Sequence, residues 1–297
     1  MIDISIFQLE AVKAISVEAA ASSSVYRFIV GPEKKEYHIH SAVLANHSSA
    51  LDAMVNDGLQ ESGEKIVDWT DVDSGAFLGL WHFLYSGRYA APVLISRLGE
   101  DHPATKIREE EAGTLPDRTL PICTLPGCKR PGCKMPGCTI PAGLWLDFQT
   151  LRLADLEESP PPQPKSVGRR VVVNSYTDLL LQHARVCVLA DKYMIPPLKQ
   201  LALTALQKEL GIHLYDLETI SEIAPDAIAL LQFSFNNPAP DKLRELVTLF
   251  AACIITDLWE CEGFQDLMGS SEEFSAAVSG CIGTNLDGRL LKRLLDH

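Results

Sequence analysis

Two well-patterned regions of this chain are held apart by a central stretch, residues 93–173, in which no helical or strand period survives. Any core must therefore be assembled from the flanking regions. The stretch holds the acidic run Glu109–Glu111, the proline-rich "ESPPPQPK" and four evenly spaced cysteines in "CTLPGCKRPGCKMPGCTIPAG". Such a composition buries too little apolar surface to offset chain entropy, and reads as loop or linker. One island differs. In "GLWLDFQTLRL", Leu144, Trp145, Phe148 and Leu151 share an amphipathic turn or two that should dock on another element.

Before the break, "VYRFIV" and "EYHIH" alternate on either side of "GPEKK", the signature of a hairpin. "SAVLANHSSALDAMVNDG" places Val43, Leu44, Leu51, Met54 and Val55 near helical spacing, with Ser41 as a cap. Its internal "NHSS" predicts two short helices rather than one. "KIVDWTDVD" reads as a strand entering a turn. "SGAFLGLWHFLYSGRY" sets Phe77, Leu80, Trp81, Leu84 and Tyr85 on one helical stripe, with Gly87 as C-cap.

After the break, Leu180, Ala184, Cys187, Val188 and Asp191 share a helix face. Proline forces Ile195 extended, and Pro196-Pro197 opens a helix ending at Gly211. The remaining sequence repeats helical patterns to a basic tail. Its longest apolar run, Leu246–Trp259, is too short to cross a bilayer and predicts a buried helix. A net charge of −13 argues against nucleic-acid and anionic-membrane partners. With no secretory leader in the reading, the chain is expected inside the cell, cytoplasmic or nuclear, with its eight cysteines reduced.

The ordered set "HSAVLANHSSALDAMV", "GLQES", "IVDWTDVDSGAFLGLWHFLYSGRY" and "HARVCVLADKYMIPPLKQLALTAL" resembles the BTB/POZ domain. His40, Leu44 and Ser48 fall where that family writes His-x-x-x-Leu-x-x-x-Ser. Tyr85 and Gly87 match its aromatic–Tyr–small–Gly segment, and Asp191 and Tyr193 its Ala-Asp-Lys-Tyr helix end. The central insertion, the "LWLDF" island and the helical C-terminus are similar to a fungal group of BTB proteins.

The resemblance implies an α+β fold, a small sheet surrounded by helices and followed by an α-helical extension. It divides the chain into a first part of the domain at 22–92, an insertion at 93–173, a second part at 174–211 and the extension at 212–297. It also implies protein partners: a second copy of the chain, giving a homodimer, or a cullin scaffold. One position departs from the family, since Ser23-Ser24 stand where many dimeric members carry an acidic residue of a charged dimer pocket.

Leu59 and Glu61 in "GLQES" resemble the hydrophobic-x-Glu element of cullin-binding members, which would make the chain a substrate-recognition adaptor of a ubiquitin ligase. In the bland reading, Leu59 packs inward and Glu61 is ordinary loop chemistry, leaving a scaffold or assembly protein. Cys123, Cys128, Cys133 and Cys138 are a candidate zinc set, with four residues between neighbours and Pro-Gly turns to bring sulfurs together. Zinc sites normally use two close pairs around a longer spacer, and no second shell is evident, so an expanded low-complexity pentad explains the ladder better than a metal site. His38 and His40 share a strand face, but no further ligands converge, so a structural role fits better. Cys187, Cys253, Cys261 and Cys281 read as packing residues. There is no phosphate-binding Gly-Lys-Ser loop, nucleophile elbow or His-Glu-x-x-His, and no reaction class is supported; the chain is read as a non-enzyme.

Overall fold

Three strands and the helices that cover them form the N-terminal part of the computed structural model, which describes residues 16–56, 65–95, 142–151, 153, 171–215 and 220–285. Strand β1 (Val25–Val30) pairs antiparallel with β2 (Lys35–His40) and parallel with β3 (Ile66–Trp69), in the order β2-β1-β3. Alternation in the sequence becomes alternation in burial. Tyr26, Phe28 and Val30 are buried, and Val25, Arg27 and Ile29 face the other way. Gly31 turns the hairpin at φ 71°. Its N–H donates to Trp69 O at 3.1 Å, and a Cβ there would lie 2.6 Å from Ser74 Oγ. Only glycine meets both demands.

A short helix α1 (Val17–Ser22) precedes the sheet. The predicted break between two helices is present: α2 (Ser41–His47) ends at the extended Ser48, and α3 (Ser49–Asn56) begins directly after it. The cap assignment differs from the sequence reading. Ser41 is inside α2, whose N-cap is His40, while Ser48 caps α3 by accepting from the N–H groups of Ala50 (3.1 Å) and Leu51 (3.2 Å).

Helix α4 (Ser74–Ser86) follows β3. Asp73 caps it through a 2.9 Å bond from the Ala76 N–H, and Gly87 closes it at φ 66° with a 2.7 Å bond to Phe83 O. Its buried stripe is shifted from the expected one. Phe77, Leu80 and Leu84 are buried as predicted. Phe83 is buried too, Trp81 is half-buried and Tyr85 is 41% exposed. Phe28, Trp69 and Phe77 make the aromatic centre, with ring centroids 5.0 to 5.9 Å apart.

The chain divides into two compact units: Met1–Ala90 with Leu189–Lys199, and Ala91–Val188 with Gln200–His297. The divisions fall inside α6 (Tyr176–Lys192) and α7 (Pro196–Tyr215). Helix α6 is buried on more than the single predicted face. Leu179, Leu180, Gln182, His183, Ala184, Val186, Cys187, Leu189 and Ala190 are all buried, whereas Asp191 is exposed. Ile195, just before Pro196, is buried. Helix α7, however, continues past Gly211 to Tyr215, because glycine costs a helix only about 1 kcal/mol when its neighbours pack.

In the second unit the central stretch contributes order at two places. Its island forms α5 (Ala142–Thr150), whose Leu144, Trp145 and Phe148 are buried. Two residues of β4 (Val93–Leu94) pair in parallel with β5 (Val172–Val173), a contact without sequence signal. Helices α8 (Ile220–Asn236), α9 (Asp241–Cys253), α10 (Ile255–Trp259), α11 (Glu262–Ser270) and α12 (Glu272–Asn285) complete it. The apolar run is buried from Leu246 to Ile255 and at Leu258 but exposed at Thr256, and it breaks at Ile254 (φ −113°) into α9 and α10. Helix α9 packs against α5, α8 and α12. Arg244 fixes one corner, donating to Ser234 O and Asn237 O at 3.2 Å each and so satisfying carbonyls at the C-terminal end of α8. No helix among the described residues is long and apolar enough to cross a membrane.

Candidate interaction site

The family positions become a set of linked hydrogen bonds within the first unit. Ser48 does two things at once. Its Oγ caps α3, and its hydroxyl proton goes to the carbonyl of Tyr193, 145 residues along the chain. The Tyr193 ring then stacks on Trp69 with centroids 4.4 Å apart, against the end of β3. Burial, followed by the charge of Asp71, pushes the Tyr193 hydroxyl well above its ordinary range. Lys192 lies 5.4 Å over the same ring and 3.9 Å from Asp71. Asp191 accepts from Lys199 Nζ at 3.0 Å, tying the end of α6 to the start of α7. Leu44 is fully buried.

His40 and Tyr85 form a second pair, which protects a sheet edge. The Ser41 N–H bonds back to Ser24 O on the β1 side, so the backbone groups of His38 and His40 point to the edge of β2 that pairs with no strand among the described residues. Tyr85 Oη accepts from the His40 N–H at 3.2 Å and lies 2.9 Å from His40 Nδ1. Trp81 Nε1 donates to His38 O at 3.4 Å. Two side chains one turn apart on α4 thus occupy an edge that would otherwise recruit another strand. Trp81 and Tyr85 also contact each other, with centroids 4.8 Å apart. The i, i+4 spacing of the two aromatics is visible in the sequence, but it reads there as a core stripe.

Two further positions were not singled out in the sequence. Tyr26 donates from its buried hydroxyl to Val55 O at 2.8 Å, closing α3 onto β1. His47 Nε2 lies 2.8 Å from Leu84 O, and a carbonyl only accepts, so the ring carries its proton on Nε2. Its Nδ1 is buried with no partner among the described residues, and burial lowers the His47 pKa from 6.5.

Leu59 and Glu61 fall between α3 and β3, outside the described residues, as do Cys123, Cys128, Cys133 and Cys138. Among the described residues no group of three or more His, Cys, Asp or Glu side chains is arranged to hold a metal. Cys187 and Cys253 are buried, and Cys261 and Cys281 are half-buried. Burial is the main cause that pushes the Cys253 thiol up to about 12, the opposite of what a nucleophile needs. At Ser23-Ser24, Ser23 Oγ donates to Ala20 O at 2.8 Å and accepts from the Ala42 N–H at 3.3 Å. Ser23 thereby serves the local join between α1 and α2.

Residues 27–98 match the family model of the BTB/POZ domain. The chain therefore carries a BTB/POZ domain, a small mixed sheet with helices, followed by a helical C-terminal region, and that domain is a protein–protein interaction module. The match ends before the cysteine ladder and does not include Tyr176–Leu210. No curated protein matches the chain.

Proposed function

We propose that this chain is a protein-recruiting adaptor that binds a cullin scaffold through its BTB/POZ domain. Leu59 fills an apolar pocket on the scaffold, and Glu61 accepts a hydrogen bond at the rim. The chain is then a substrate-recognition subunit of a ubiquitin ligase, with the helical extension as the place for target recruitment. The observation that carries this reading is the family match across residues 27–98, which includes both contact positions. The insertion and the helical extension support an affiliation with the fungal type of BTB protein.

An interfacial anchor of this kind contributes about 2 kcal/mol or more. Leu59→Ala with Glu61→Ala should therefore weaken cullin capture by roughly thirtyfold. The test is co-purification from cells under gentle conditions, with circular dichroism confirming that the double variant folds. Equal recovery of a cullin by variant and parent, or no cullin at all, defeats the ligase reading.

A second reading, a self-associating scaffold without a ligase link, is favoured by one observation. Val17 is 85% and Val25 43% exposed in the first unit, apolar surface of the sort that members of this family bury in a second copy. Sedimentation that gives a monomer at micromolar concentration removes it.

A further inference from the structure

A cleft of about 250 Å³ opens among α8, α9 and α12 of the helical unit. It is smaller than the clefts that hold drug-sized ligands, and suits a single side chain better than a cofactor. Three carboxylates line it: Asp241 and Glu245 from α9 and Glu273 from α12. Lys242 Nζ meets Glu245 Oε2 at 2.8 Å, and Arg244 meets Glu273 Oε1 at 2.5 Å, which engages one oxygen of each. The Arg244 guanidinium is already committed to two carbonyls and Glu273, so it offers little to an incoming anion.

A second observation is independent of charge. Thr248, one turn beyond Arg244, also lines the cleft and is 2% exposed, yet its Oγ1 has no hydrogen-bond partner among the described residues. A buried hydroxyl without a partner costs free energy that a valine of the same shape would not. Burial first, then Asp147 and Glu245, push the Cys281 thiol at the cleft wall upward. Ala277 supplies an apolar side for an aliphatic stem.

We infer that this cleft receives the guanidinium of an arginine presented by a partner protein. The carboxylates and the hydroxyl can all accept, and guanidinium is a planar donor fork that is always charged and cannot accept. Its methylene stem lies along Ala277. The site belongs to the helical unit beyond residue 98, so it stands whether or not a cullin binds.

The test titrates the full chain with N-acetyl-arginine methylamide, followed by saturation-transfer NMR, with the neutral citrulline analogue as control. The arginine probe should saturate, the citrulline probe should not, and added salt should weaken binding. Asp241→Asn with Glu245→Gln should weaken binding about tenfold or more, as expected for loss of charge-assisted bonds. Thr248→Val keeps the falsification independent of folding. It should raise the thermal midpoint of the free chain while weakening the arginine probe. Absence of saturation, equal binding of citrulline, or undiminished binding by either variant overturns the inference.

Discussion

Replacing Ser48 by alanine removes a helix cap and a long-range tie with one oxygen. The cap to Ala50 and Leu51 is worth about 1 kcal/mol. Losing the donor to Tyr193 leaves a carbonyl short of a partner beside a side chain that is 8% exposed, a penalty of about 1–3 kcal/mol. Together the cost is roughly 2–4 kcal/mol, a large part of the stability of an ordinary domain. Ser48→Asp separates the contributions. Aspartate caps as well as serine, but its carboxylate cannot donate to Tyr193 O and repels it, so the variant should keep α3 and lose the tie. The assay is urea unfolding combined with hydrogen exchange on peptides from 49–56 and 189–199. In Ser48→Ala both segments should lose protection together, while in Ser48→Asp the loss should concentrate at 189–199. A Ser48→Ala midpoint within experimental error of the parent, or exposure of α3 alone, would refute the assignment of Ser48 as the link between these segments.

Tyr85→Phe should cost about 1 kcal/mol and accelerate exchange of the His40 amide, since its hydroxyl partner on the β2 edge is gone. His47 titrates below 6.5 in the folded chain, so the unfolded chain binds more protons once pH falls under 6.5. Stability contributed by neutral His47 is full above that value and is lost as pH falls towards the lowered folded pKa; His47→Gln should flatten this part of the urea-midpoint profile. Phe148→Ala should cost about 3–5 kcal/mol in the helical unit and free α5, because its buried ring lies 6.2 Å from that of Phe250; exchange across 142–150 reads this directly. The zinc reading of the cysteine ladder requires a stoichiometric metal content in protein purified without chelators, lost in Cys128→Ser with Cys133→Ser.

Local pattern was legible to the extent that it depended on neighbours in sequence. The hairpin around Gly31, the break at Ser48, the αL cap at Gly87 and the docking island at Leu144–Phe148 each arise from steric or amphipathic rules acting over a few residues. The family positions were legible as a resemblance, though the work each performs was not. His40 reads as a structural hydrogen-bonding residue and Tyr85 as core, and the structure brings the two side chains together on the edge of β2.

The amino-acid order by itself indicated the hairpin around Gly31, the helix pair broken at Ser48, the cap at Gly87 and that a small interaction domain is followed by helices. Only tertiary structure decided that Ser48 reaches Tyr193, that α6 is buried on several sides, that α7 runs through Gly211, and that β4 finds β5. The physical reason is range. Propensity and periodicity act over one or two turns, while these outcomes depend on which distant surface arrives to satisfy a hydroxyl, a carbonyl or an apolar face.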